Sequence, residues 1–112
     1  MKKAYIPHIV DQDVSAVREK VDRIHVIVER NFNPFHATDL LAAIRKAVSS
    51  YDMDKDYTVP VGSSLVNFLT GLAIGMQRPR QLKLLIHQAK LGHYKEIVIR
   101  IPNAEGDAHG AK

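Results

Sequence analysis

One segment constrains the fold of this chain more than any other. Leu65, Phe68, Leu69, Leu72, Ala73 and Met76 recur at i, i+3, i+4, i+7, i+8 and i+11, the spacing of one helix face. Further on, Ile97, Ile99 and Ile101 alternate with Val98 and Arg100, the period-two pattern of a strand. A chain that switches between these periods has to bury a sheet against helices, so the pattern of the remaining segments decides the architecture.

Those segments alternate. Residues 4–10 read as a short strand, with Pro7 pushing it towards an edge. Asp11 and Asp13 are N-cap candidates for a helix over about 13–23, where Val14, Val17 and Val21 share a face. Ile24-His25-Val26-Ile27-Val28 is dense in β-branched residues and predicts a strand at 24–29. Ile24 and Val28 also continue the helical stripe, so a helix running to Arg30 is the alternative. Asn33-Pro34 is a cap followed by proline at the first helical position, with Thr38 as the alternative cap. The helix it starts runs to about Tyr51 and presents Leu40, Leu41, Ile44 and Val48. Tyr57 to Val61 is a strand, Gly62-Ser63-Ser64 a turn, and the stripe to Met76 a helix that Arg78-Pro79-Arg80 ends. Leu82 to His87 and Tyr94 to Ile101 are strands around a turn at Gln88 to Gly92. The order β-α-β-α-β-α-β-β predicts a small three-layer Rossmann-like α/β domain, with a mostly parallel sheet and a C-terminal β-hairpin. Residues 1–102 form that single domain, and residues 103–112 read as a disordered tail.

Composition narrows the chemistry. The 112 residues include no cysteine, which excludes a disulfide scaffold, a thiolate zinc site and thiol catalysis. The uncharged run 59–76 contains Pro60, Gly62, Ser63, Ser64, Asn67, Thr70, Gly71 and Gly75, too polar and broken to span a bilayer. No membrane partner and a cytoplasmic location are therefore expected. The net charge of +4 is unevenly spread: residues 1–76 balance nine basic against nine acidic residues, while residues 77–112 carry seven against three. Such asymmetry points to an anionic partner, with solubility as the plain alternative.

The strand–Gly62-Ser63-Ser64–helix junction is the main candidate site. Ligands of α/β sheets collect at the carboxyl ends of strands, and a helix N-terminus there offers free N–H groups to a phosphate. Gly62 lets the backbone approach, and the hydroxyls of Ser63 and Ser64 add donors; the same serines could equally be plain helix caps. Gly71 and Gly75, four apart, suggest close approach of the helix to a sheet or second helix. Arg78, Arg80 and Lys90 surround the last two strands, and arginine suits phosphate. A solvated charged edge that discourages strand pairing is the other explanation. Six histidines show no HxxxH or HxH pair; His87 and His93 flank a turn where they could face each other as acid–base groups. Asp52 to Asp56 lacks the spacing of a calcium loop. No cofactor motif and no basic–aromatic interleaving for single-stranded nucleic acid is present.

Three blocks resemble the small CRISPR-associated ring nucleases of the third type, which have a minimal CARF-like fold. They are Ile24 to Glu29 with its proline-started helix, Val59-Pro60-Val61-Gly62-Ser63-Ser64-Leu65, and Leu84-Leu85-Ile86-His87-Gln88-Ala89-Lys90-Leu91-Gly92. The resemblance implies a homodimer or higher homo-oligomer that binds a cyclic oligoadenylate, an antiviral second messenger. It implies that Gly62, Ser63 and Ser64 hold phosphate, that Gln88 stands where the family has its aspartate, and that Lys90 stands where it has arginine. The family's catalytic histidine has no counterpart, since Arg78-Pro79-Arg80 occupies that region. Binding parts without the cutting parts imply a protein that holds a cyclic nucleotide uncleaved, as a sponge or sensor. A metal-assisted ring nuclease using His87 or His93 is the alternative, and a basic protein binding nucleic acid or a protein partner a further one.

Overall fold

The computed structural model describes residues 1–9, 13–29 and 31–102. The tail expected at 103–112, and Val10, Asp11 and Gln12 before the first connector, lie outside the described residues. Five strands form one sheet in the order β2-β1-β3-β4-β5: β1 (Lys3–His8), β2 (Arg23–Val28), β3 (Tyr57–Thr58), β4 (Gln81–Gln88) and β5 (His93–Arg100). β1 pairs in parallel with β2 and β3, β3 pairs in parallel with β4, and β4 and β5 close as an antiparallel hairpin. The segment expected as a strand at 24–29 is one, with bounds Arg23–Val28, and is not a continued helix, as its β-branched run requires. Pro7 sits in a strand paired on both sides, so its missing N–H did not force β1 to an edge.

Alternation along β1 divides the core. Tyr5 faces α1 (Ala37–Ala47) and α2 (Ser64–Gly75), packing with Ile44, Val48, Leu69, Ala73 and Ile74. Ala4 and Ile6 face the other way, against Val17, Val59, Leu85 and Tyr94. Two helices thus cover one face and the β1–β2 connector covers the other. That connector is a 3-10 helix, Ser15–Glu19, and not the longer helix expected over 13–23. Lys2 N–H donates to the Asp22 carboxylate (2.8 Å) and Asp22 N–H to the Lys2 carbonyl (2.9 Å), so the chain is already entering β2 at residue 22. One tight helix that buries Val17 is what remains. Asp13 still acts at its start: its carboxylate accepts from Ser15 N–H (2.9 Å), and this bond holds its carboxyl below the usual range.

The second helix begins as expected. Asn33 accepts from Phe35 N–H (2.9 Å), and Pro34 opens a 3-10 turn that leads into α1. It ends at Ala47 instead of Tyr51. Tyr51 turns inward from the following turn, and burial pushes its hydroxyl pKa up. β3 is shorter than the expected 57–61. Val59 N–H still bonds the Tyr5 carbonyl (2.9 Å), but Pro60 has no N–H to continue the ladder.

α2 lies where the periodicity puts it but is rotated. Its buried residues are Val66, Leu69, Thr70, Ala73 and Ile74, while Phe68, Leu72 and Met76 are exposed. The helix is apolar nearly all round, so the sequence offers two stripes, and Thr70 can be buried because its hydroxyl donates to the Val66 carbonyl (2.8 Å). Gly71 and Gly75 lie on the exposed side, where an added Cβ would meet nothing within 4 Å, so no close approach to another described element is seen at either. No helix among the described residues is long and apolar enough to cross a membrane.

Candidate functional site at the sheet's switch point

The connection after β1 leaves on the 3-10 face, and the connection after β2 returns to β3 on the helical face. The chain therefore diverges at the carboxyl ends of β1 and β3, the place where open α/β sheets form a crevice. His8 ends β1 there, and Gly62, Ser63 and Ser64 lead from β3 into α2.

The local structure of this turn is tightly determined. Gly62 has φ +85°, and a Cβ at that position would overlap the His8 carbonyl oxygen and lie 2.8 Å from the His8 carbonyl carbon and Cβ. Only glycine lets the turn lie against the end of β1. Ser63 N–H donates to His8 Nδ1 (2.9 Å), which puts the imidazole proton of a neutral His8 on Nε2. The buried His8 ring meets Phe32 edge-on at 5.3 Å, so the chain after β2 packs against the end of β1. Asn67 closes the turn from inside α2, donating to the carbonyls of Val61 and Ser63, both at 2.8 Å.

Ser63 is the N-cap, and its hydroxyl accepts from Val66 N–H at 3.4 Å. Capping therefore accounts for Ser63, as the plainer expectation had it. Ser63 N–H is taken by His8, and Asn67 N–H bonds the Ser63 carbonyl (3.0 Å). The N–H groups of Ser64 and Leu65 meet no hydrogen-bond partner among the described residues. These two donors, at the positive end of a twelve-residue helix, are the feature at this end of the sheet that would attract an anion.

The other candidate residues divide between the two ends of the sheet. Thr58 pairs with Leu84, so Gln88 lies about 13 Å further along β4, at the crevice end. Gln88 and Lys90 belong to the hairpin tip there, where Gln88, Ala89, Lys90 and Leu91 line a shallow hollow. Arg78 and Arg80 lie at the opposite end. α2 runs back for about 18 Å before them, and β4 then has to return along its whole length. The structure thus does not gather Arg78 and Arg80 with Gly62, Ser63 and Ser64 into one basic site. Arg78 occupies a left-handed position (φ 54°) just past the helix end, where its N–H bonds the Gly75 carbonyl (3.0 Å).

His87 and His93 do not face each other. His87 pairs with Tyr94, packing on its ring at 5.1 Å, while His93 pairs with Gln88 and points to the other face. Among the described residues no three of His, Asp and Glu converge as metal ligands. The part of the site that sequence reasoning missed is His8: it reads as one histidine of six, and its bond to Ser63 spans 55 residues. No protein-family model matches the chain, and neither a curated protein nor a solved structure is significantly similar to it.

Proposed function

We propose that the carboxyl end of the sheet, at the start of α2, binds a phosphate of a cyclic oligonucleotide and holds the ring uncleaved. The observation that carries this reading is the pair of N–H groups at Ser64 and Leu65, set at a helix N-terminus by the Gly62 turn. Gln88 and Lys90 stand at the same end of the sheet and would flank the ligand. The nucleotide class comes from the three blocks that resemble the CARF-like ring nucleases. The non-cleaving role comes from Gln88 in place of aspartate, since a carboxamide neither takes a proton nor binds a metal well. The two roles that remain are a sponge that depletes the messenger and a sensor that reports it.

Thermal denaturation with cyclic tetra-adenylate and with cyclic dinucleotides tests the proposal. A ligand that binds only the folded chain adds about 2.7 kcal/mol of stability at 100 times its dissociation constant. The expected result is a raised Tm with one of these rings, and the same ring recovered intact after the protein is denatured. Linear products recovered with manganese present would make the chain a nuclease, and no shift with any ring would remove the ligand class altogether.

A further inference from the structure

We propose that β5 is the contact between two copies of this chain, pairing antiparallel with itself so that Val98 lies opposite the partner's Val98. β5 is the last strand of the sheet, and no described strand pairs with its outer edge. It is eight residues long, contains no proline, and exposes Ile97 (39%), Val98 (44%) and Ile99 (42%). Among the described residues the helices pack chiefly over β1 and β2, and neither Ile97 nor Ile99 on the helical face joins the core they bury. A long apolar edge of this kind is a template for another strand.

The hydrogen-bond phase of the edge is set by the hairpin. Ile101 N–H donates to the Arg80 carbonyl (2.8 Å), so the odd-numbered residues of β5 face β4. Tyr94, Glu96, Val98 and Arg100 therefore point their N–H and C=O groups outward. A two-fold axis through Val98 pairs these outward groups with each other and keeps every side chain on its own face.

Charge selects the register. With Val98 opposite the partner's Val98, Glu96 lies opposite the partner's Arg100, and Arg100 opposite the partner's Glu96. Neither Glu96 nor Arg100 has an ion-pair partner among the described residues. On the helical face Ile97 then meets the partner's Ile99 twice. A slip of two residues in either direction sets Glu96 against the partner's Val98 or Pro102 and loses both charge pairs. Opposite charges directly across an antiparallel pair stabilise it, and like charges oppose it. The strands of the two copies then run in opposite directions, so the two crevices lie at opposite ends of a ten-stranded sheet. Each takes its own ligand, and the dimer stands whether or not the ligand assignment does.

Light scattering after size exclusion tests the pairing through charge reversal on the exposed strand. The native chain is expected at twice its 12.6 kDa mass. E96R alone and R100E alone each put like charges opposite and are expected as monomers at the same concentration. Mixing the two single variants restores opposite charges on both pairs and is expected to return the doubled mass, as is the double variant E96R/R100E. A monomeric native chain, single variants that stay dimeric, or a mixture and double variant that stay monomeric would each overturn the proposal.

Discussion

Gly62→Ala is expected to destabilise the chain by about 2–4 kcal/mol and to abolish ligand binding. About 1–2 kcal/mol is the cost of holding a non-glycine residue at a left-handed position. The remainder is the cost of forcing an atom into occupied space. At Gly62 both apply: φ is +85°, and the new Cβ would overlap the backbone of His8, which cannot move aside as a flexible side chain could. The strain falls on the seam that seats Ser63 N–H on His8 Nδ1, so the start of α2 would shift away from β1. Urea denaturation measures the stability loss, and Gly71→Ala with Gly75→Ala is the control. At those two positions the added Cβ meets nothing, and the helix gains up to about 1 kcal/mol for each exchange. A Gly62→Ala protein as stable as the native chain would mean that the turn does not lie against β1.

Asp56→Ala is expected to cost about 2–4 kcal/mol at the opposite end of the sheet. Asp56 is fully buried. One carboxylate oxygen accepts from Lys3 N–H (3.2 Å), the other accepts from Asp52 N–H (2.9 Å), and Lys3 Nζ lies 3.8 Å away. Hydrogen bonds to a charged group contribute roughly 1.5–3 kcal/mol each, and donors left buried and unpaired carry their full desolvation cost. This carboxylate joins the start of β1 to the loop that delivers β3, and its loss would loosen the parallel pairing between them. Asp56→Asn keeps one acceptor oxygen and is expected to fall between the native chain and Asp56→Ala. Equal stability of all three proteins in urea would show that the buried carboxylate is not a strut.

The Gly62 turn and the Asp56 strut differ in how far they could be read from sequence. The turn was legible because its signals are local: a β-branched strand, a glycine, a capping serine and an apolar helix lie within a few residues. The strand at 24–29 and the closing hairpin were legible for the same reason. Asp56 reads as one acid of a solvated loop, since its partner Lys3 is 53 residues away. His8 and Ser63 are just as distant from each other. The short 3-10 connector was hidden because Val14, Val17 and Val21 fit a helix, while the tie between Lys2 and Asp22 that limits its length is tertiary. The rotation of α2 was hidden because a helix apolar on both sides carries two stripes, and only packing selects one. Arg78 and Arg80 looked like neighbours of the site in sequence, but α2 carries the chain back across the sheet before reaching them.

That separation makes one substitution especially informative. Ser64 is the first helical residue, where proline is favoured, and Ser63 before it has φ −59° and ψ 132°, the conformation a following proline requires. Ser64→Pro therefore removes one of the two unpaired N–H donors at the start of α2, together with the Ser64 hydroxyl, while leaving the helix start intact. Titration calorimetry with the ring that raises the Tm of the native chain is expected to show binding weakened about 10- to 100-fold, the loss of one hydrogen bond to a charged group, in a protein that melts no lower. Unchanged affinity in the proline variant would contradict phosphate binding at the start of α2.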